Sequence, residues 1–314
     1  MIERVRVAVV GVGNNTSALV QGLALYRQSG SLVGIRRPMI DGLGVGDIDV
    51  VAAFATSEEK IGRDLTDAIF LPPNNFPRLN CDLPRADVPV TKGLVDASEV
   101  QRVAAALAGA EVLLYSAPSG RPDTARAYAA AAHKAGAAFI NTTADPVARD
   151  PQLLDSFEAA GLPLLGDDLA SQFGTSVLHN ALLRLLKERG LTLVSSYQVN
   201  LGGTEDFRNL VENPNTKKQS KLNALSEADS VEVAPLGYLP HLASQKVAHL
   251  NLEAQGWGET AVSLDVKLKV HDPSGAAGVN IDLIRIAASA LRNGRGGHAA
   301  EATSLLKSPP GTAI

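Results

Sequence analysis

Cysteine is nearly missing from this chain: Cys81 is the only one in 314 residues. A single cysteine excludes an intrachain disulfide framework and fits a reducing compartment. Nothing around Cys81 has the pattern of a metal site or a nucleophile, so an inert thiol is expected. Positive charge is not in excess either. The formal net charge is -4, which gives bulk electrostatics nothing to offer a nucleic acid. No apolar run approaches the roughly 20 residues of a membrane span, so no membrane partner is expected. The charged start leads into only a short apolar run, unlike a signal peptide; the expected location is cytoplasmic. Internal repeats and long low-complexity segments are missing. His179, His241, His249 and His271 lack metal-ligand spacing, so structural or surface roles are expected for them and no metal ligands are assigned.

The composition that is there, 45% hydrophobic and 20% charged, is that of a globular protein with one large or two medium domains. In the first half short apolar runs alternate with longer Ala- and Leu-rich stretches. The runs are Val5–Val10, Val50–Phe54, Val112–Tyr115, Ala138–Ile140 and a weaker Pro163–Leu165; helical stretches include Ser98–Leu107, Asp123–Ala135 and Leu153–Ala160. Continuous apolar strands separated by helices predict βαβ units and a parallel sheet covered on both faces. Ser29–Asp47 and Leu71–Val90 are rich in Gly, Pro, Asn and Asp and read as loops. The second half changes style. Leu191–Asn200 and Val247–Ala254 read as strands. In Ala261–Val270, Val262, Leu264, Val266, Leu268 and Val270 share one face while Ser263, Asp265, Lys267 and Lys269 share the other. This predicts a sheet with antiparallel pairs that could cover a site or form a subunit interface. A helix over Ala276–Leu291 follows.

Gly11-Val12-Gly13-Asn14-Asn15-Thr16-Ser17 joins the first strand to a helix expected at Ala18–Tyr26. Gly11 permits a tight turn, Gly13 permits close approach of a pyrophosphate, and the helix N-terminus offers unpaired N–H groups. Thr16 replaces the third glycine of the usual dinucleotide fingerprint. The acid that commonly binds the adenosine ribose is also missing: the second strand ends Ala55-Thr56-Ser57. A hydroxyl of Thr56 or Ser57 could bind the ribose, or Lys60 could meet a 2′-phosphate, so NAD and NADP both stay open. Ser116, Ser119 and Gly120 follow the third strand, and Asn141 and Thr142 the fourth, at strand ends where parallel sheets bind ligands.

Several segments together resemble the prokaryotic myo-inositol-1-phosphate (inositol-3-phosphate) synthases. They are Val9–Asn15 with Ser17–Gly22; Ile61–Leu65 with Ala68-Ile69 and Pro72-Pro73-Asn74-Asn75; and Gly166-Asp167-Asp168 with Ser171-Gln172 and Gly174. Gly202-Gly203 with Asp206-Phe207 precedes Lys217 and Ser220-Lys221, and Lys246-Val247-Ala248 comes next. Asp272 and Ser274 with Ala277-Gly278 and Asp282 come next, and Leu306-Lys307-Ser308-Pro309-Pro310 close the series. The blocks keep the family's order over almost the whole chain. This resemblance implies a Rossmann-like doubly wound α/β sheet with an inserted α+β catalytic and oligomerisation domain. Residues 1–172 plus 276–314 would hold the dinucleotide, and 173–275 would carry catalysis and tetramer contacts. It also implies NAD, a small sugar-phosphate substrate, a homotetramer, and in some members a divalent or monovalent cation.

The family converts glucose 6-phosphate to inositol 3-phosphate without net redox change. The resemblance implies that Lys217, Lys221, Lys246 and Lys307 meet over the nicotinamide, with Asp168 and Asp272 beside them. On a helix Lys217 and Lys221, four apart, share a face; mutual repulsion and burial would lower their pKa values. Proton transfer and oxyanion stabilisation are assigned to the lysines as a group, and phosphate binding to Lys217 and Lys307. Asp167 could be only a helix N-cap residue. Cofactor contacts are implied for Gly11, Gly13, Asn14 and Asn15 of the turn; for Thr56, Ser57, Asn74 and Asn75; and for Ser116, Ser119, Asn141 and Thr142. Asp168, Ser171 and Ala276 complete that set. The chain departs from the family at Ala55, at Ala170 where a lysine is usual, at Thr204, and in ending soon after Lys307. Ala170 and Thr204 motivate a second substrate, another hexose phosphate such as fructose 6-phosphate, closing a five-membered ring. A non-catalytic dinucleotide sensor and a dehydrogenase with net redox turnover are the readings of other classes; the four lysines argue against the first.

Overall fold

The computed structural model describes residues 3–212, 221–226, 231–233 and 237–313. β1 (Val5–Val10) is valine-rich and buried on both faces, so it can lie only at the centre of a sheet. α1 (Asn14–Ser29) follows, then a small hairpin of β2 (Met39–Ile40) and β3 (Leu43–Gly44), and β4 (Ile48–Ala55). The short α2 (Leu65–Ala68) leads to β5 (Val90–Lys92) at the sheet edge. After α3 (Val100–Ala106) the chain crosses back to β6 (Val112–Tyr115), on the other side of β1. α4 (Pro122–Ala135), β7 (Ala138–Asn141), α5 (Pro151–Ala159) and β8 (Leu164–Leu165) complete a parallel sheet of order β5-β4-β1-β6-β7-β8. The order reverses between β1 and β6, and such a switch point opens a crevice at the strands' carboxyl ends.

α6 (Thr175–Glu188) leads out of this unit into a second sheet. β9 (Thr192–Gly202) pairs antiparallel with β12 (Gln245–Gln255), which pairs along its whole length with β13 (Ala261–His271). The alternation in β13 fits this place. Leu268 is buried, and Lys267 and Lys269 face solvent, although Val262 and Leu264 at the far end stay 37% exposed. α7 (Glu205–Glu212), β10 (Val231–Val233) and β11 (Gly237–Tyr238) border β9. α8 (Asp272–Arg292) then returns to the first sheet. It packs along α1 and is apolar almost all round, because sheet and helix cover it together. α1 begins four residues before the expected Ala18 because Gly13 itself is the N-cap. It ends at Gly30, whose left-handed φ of 63° lets its N–H reach the Tyr26 carbonyl.

The Gly/Pro-rich stretch after α1 is a loop with the β2–β3 hairpin in it, and one residue holds it down. Arg285 of α8 is fully buried and donates to the carbonyls of Arg37, Pro38 and Leu43, while Asp282 balances its charge at 2.7 Å. The residues after Leu305 return to the 166–170 segment as an antiparallel bridge, Leu169 opposite Leu306.

Under the second sheet, His179 of α6 is buried and its Nε2 lies 2.7 Å from the Ser196 hydroxyl. This agrees with the structural role expected of it. Burial pushes its pKa down from 6.5 to about 4. In the unfolded chain the imidazole takes up a proton at higher pH than in the folded one. Its contribution to stability is therefore complete above about pH 6.5 and lost as the pH falls toward 4. The stability difference between wild type and His179→Gln, measured by urea unfolding, is expected to shrink by about 2 kcal/mol between pH 7 and pH 5. An unchanged difference would mean that the ring titrates normally.

Candidate active site

One cavity of about 560 Å³ opens at the switch point, between the carboxyl ends of β1, β4 and β6 and the second unit. The glycine turn, Gly11–Asn15, forms its floor. Gly11 has φ +92°, and a Cβ there would lie 2.6 Å from the Ser116 carbonyl oxygen, so only glycine fits. Thr16, where the third glycine was expected, bonds the Gly11 carbonyl at 2.6 Å and closes the turn from inside. Space beside Gly13 is open, since a Cβ would meet nothing within 4 Å. No side chain caps α1. Gly13, Asn14 and Asn15 thus present free helix N–H groups to the cavity, which fits a dinucleotide pyrophosphate.

The asparagine loop before residue 76 buttresses this floor. Asn14 donates to Asn75 at 2.8 Å and accepts the Asn75 and Phe76 N–H groups. Asn74 donates to the carbonyls of Val12 and Ile69. Lys60 is 3% exposed and donates to Val12 O at 2.7 Å and Asn74 at 2.9 Å. Burial lowers its pKa to about 8 against the opposing pull of Glu59. It holds the turn through these two bonds and also lines the cavity beside Thr56 and Ser57. Asn74 lines the cavity but Asn75 does not; its amide instead reaches the Gly203 carbonyl at 3.0 Å and ties the turn to the second unit.

Thr56, Ser57, Ser116, Ser119 and Thr142 line the cavity walls. Ser116 and Thr142 bond each other at 3.0 Å. Asn141 does not belong to this lining. It is fully buried, donates to Asp167 and to the Asp145 carbonyl, and lies beneath the site. Asn141 is the last residue of β7, inside the core, whereas Thr142 lies just beyond the strand end and lines the crevice. Asp167 is likewise no helix cap. It is 0% exposed and pairs with Arg149 at 3.1 Å, and it accepts the N–H groups of Val147, Ala148 and Arg149. Burial raises its pKa, and these donors with Asn141 act against the rise.

Two lysine–aspartate pairs line the same cavity. Lys246 of β12 meets Asp272, the first residue of α8, at 2.5 Å; Ser171 lies 3.4 Å from the same oxygen. Lys307 meets Asp168 at 2.8 Å, with Asp168 only 1% exposed and at φ +52°. Lys221, 6% exposed, lines the same space, as do Ser171, Ala276, Ala170 and Thr204. Lys217 lies outside the described residues. Among the described residues no cluster of His, Cys, Asp or Glu could hold a metal ion, and no helix is long and apolar enough to cross a membrane.

Sequence reasoning missed one wall. Arg121, Thr124 and Tyr128 line the cavity from one face of α4. Their spacing of three and seven follows directly on Ser119 and could have marked them. Tyr128 accepts the Leu94 N–H at 2.8 Å, and burial raises its pKa to about 12. The two glycines before α7 have a packing reason: a Cβ at Gly202 would strike the Phe207 ring and one at Gly203 the Ala243 backbone.

The family model of myo-inositol-1-phosphate synthase matches residues 174–273, which span α6 to the start of α8. The inositol-3-phosphate synthase of Mycolicibacterium smegmatis is 34% identical over 98% of this chain and 93% of its own length. Among solved structures, Ari2 is 52% identical with a TM-score of 0.89, covering 99% of this chain and 94% of that one. A myo-inositol-1-phosphate synthase-related protein from Thermotoga maritima, 23% identical, shares the fold at a TM-score of 0.80 over 98% and 94%. Matched over nearly its full length at this identity, and carrying the lysine–aspartate pairs and the glycine turn in one cavity, the chain belongs to the inositol-3-phosphate synthase family.

Proposed function

We propose that the protein is a redox-neutral cyclase of a hexose 6-phosphate that uses NAD, converting glucose 6-phosphate to 1D-myo-inositol 3-phosphate. The observation that carries this is the convergence of Lys221, Lys246–Asp272 and Lys307–Asp168 on one cavity above the phosphate-binding turn. NAD, when bound, would accept a hydride from the carbinol beside the phosphate-bearing carbon and return it after ring closure. The turn Gly11–Asn15 would hold its pyrophosphate, and Thr56 and Ser57 the adenosine ribose. In the absence of an acid at position 55, NADP stays a candidate. Of the remaining implied contacts, Ser116, Ser119, Thr142, Asp168, Ser171, Ala276 and Asn74 line the space the cofactor would share with the substrate.

The chain's own groups meet the remaining demands. Lysines bind the substrate phosphate, a part assigned to Lys307 with Lys217. Oxidation makes the neighbouring carbon acidic, and a lysine kept neutral takes its proton. Ammonium groups of the others neutralise the enolate and then the alkoxide formed in the internal aldol step. Asp272 and Asp168 hold Lys246 and Lys307 in place and fix which nitrogen donates. A divalent or monovalent cation near the pyrophosphate is compatible with this arrangement. Residues 1–172 and 276–314 form the dinucleotide-binding part in this reading, and 173–275 the catalytic and tetramer-forming part. A homotetramer in a cytoplasmic setting follows from the family; a monomer mass in sedimentation would overturn the assembly.

A second reading changes the substrate only. Ala170 and Thr204, where the family usually has lysine and asparagine, both line the cavity. With fructose 6-phosphate the same carbanion would attack a ketone one carbon nearer and close a five-membered ring. Each sugar phosphate is to be incubated with protein and NAD, and the product read by phosphorus NMR. Inositol phosphate without accumulation of reduced cofactor supports the first reading, and a cyclopentane phosphate from fructose 6-phosphate alone the second. Steady accumulation of reduced cofactor would make the protein a simple dehydrogenase.

A further inference from the structure

We propose that Asn223 is a positioning residue that fixes Lys221 relative to Lys307, by cross-linking the two lysine-bearing segments beside their lysines. The inference rests on the cyclase reading above. Residues 221–223 are helical, and Asn223 stands two residues beyond Lys221. Its amide donates to the Ser308 hydroxyl at 3.2 Å and to the Ala313 carbonyl at 2.9 Å. Ser308 is the immediate neighbour of Lys307 and is fully buried. Its backbone is in turn fixed to Asp167, with Ser308 N on Asp167 O at 3.0 Å and Asp167 N on Ser308 O at 2.8 Å. The Ala313 carbonyl is held from its other side by Arg149, the buried partner of Asp167. One amide group thus joins the Lys221 segment to the rigid Asp167 hub, and through it to the Lys307–Asp168 pair.

The chemistry gives this link its use. A lysine that transfers a proton or neutralises an oxyanion must hold its nitrogen to within a fraction of an ångström of the reacting atom. A displacement of about 1 Å costs on the order of 100-fold in rate. Lys221 and Lys307 come from segments 86 positions apart in sequence (307 less 221). The 221–226 segment is also anchored by Leu225 in the core of the second unit and by Ser226 N–H on Asn180, and the Asn223 amide adds a direct bond from it to the Lys307 segment.

The test compares Asn223→Leu, which keeps bulk but has no donor, with Asn223→Asp, which can still accept a bond from the Ser308 hydroxyl. The expected result is a kcat lower by about 100-fold in Asn223→Leu with KM for NAD unchanged, and partial recovery in Asn223→Asp. Ser308→Ala added to Asn223→Leu is expected to lower kcat little further, because both remove the same link. Independently of turnover, Lys221 is to be modified with pyridoxal phosphate and borohydride and the labelled peptide quantified. Its labelling rate should change by several-fold in Asn223→Leu while that of Lys134, an exposed lysine on α4, stays constant. Wild-type kcat and wild-type Lys221 labelling in Asn223→Leu would overturn the proposal. If Asn223→Leu fails to fold, Ser308→Ala alone carries the same two readouts. Wild-type protein that turns over no hexose phosphate would overturn the cyclase reading instead, and the labelling would still decide the cross-link.

Discussion

Lys246→Met is expected to lower kcat by about 10²- to 10⁴-fold while leaving the fold and nucleotide binding intact. The range follows from the two parts open to this ammonium group, proton transfer and stabilisation of a developing oxyanion. Lys246 is on β12, paired on both sides along its length, so the strand keeps its shape without the side chain. Methionine preserves most of the aliphatic stem and removes only the charge. Asp272 loses its cation but stays at the N-terminus of α8, where the helix dipole favours a carboxylate. The effect should therefore fall on turnover. Single-turnover product formation, together with titration of NAD binding by fluorescence, separates the two. A kcat within about threefold of wild type, well short of the range a catalytic group commands, would remove Lys246 from the mechanism. Asp272→Asn is expected to be milder, since it frees the lysine without deleting it.

The fold was legible because the sequence writes it in periodicity. Continuous apolar strands such as Val5–Val10 and Val112–Tyr115 are required by a sheet covered on both faces, and the alternation of Ala261–Val270 marked an extended strand, whose apolar face is buried only at Leu268. The glycine turn was legible for the same reason: its position between strand and helix limits the shape it can take. The lysines and aspartates were legible through family resemblance, since Lys246 and Asp272, or Lys307 and Asp168, carry no spacing that announces their pairing. What escaped was what depends on side-chain direction. Asn141 and Thr142 are neighbours, yet Asn141 ends β7 in the core while Thr142, just beyond the strand, lines the crevice. Lys60 could be read only as a partner for a 2′-phosphate, because nothing in its sequence neighbours reveals that it also bonds Val12 and Asn74. Arg121 and Thr124 were hidden because the helix they open was read for its alanines. Asp167 escaped most completely, because a pair of adjacent aspartates gives no sign that one faces the cavity and the other the interior.

Asp167→Ala is accordingly expected to cost about 3–5 kcal/mol of stability, the cost of stranding one member of a buried ion pair. Arg149 is almost fully buried against Asp167, so its charge would remain without a counter-ion in a medium that cannot solvate it. The N–H groups of Val147, Ala148 and Arg149 and the Asn141 amide would lose their acceptor as well. Asp167→Asn should be less damaging, since one carbonyl oxygen can still take some of these bonds but offers Arg149 no charge. Urea unfolding of the three proteins at neutral pH measures this order, and a loss under about 1 kcal/mol in Asp167→Ala would mean that water or a shifted Arg149 replaces the carboxylate. The consequence for the site follows from the neighbour. Asp168, next in sequence, holds Lys307, and Asp167 binds Ser308 through its backbone. Loosening the hub should free both ends of that two-residue bridge. Asp167→Asn, the variant that retains more of the fold, is then expected to lose turnover out of proportion to its loss of stability. An activity that simply tracked the folded fraction would show the bridge to be held by its backbone bonds alone.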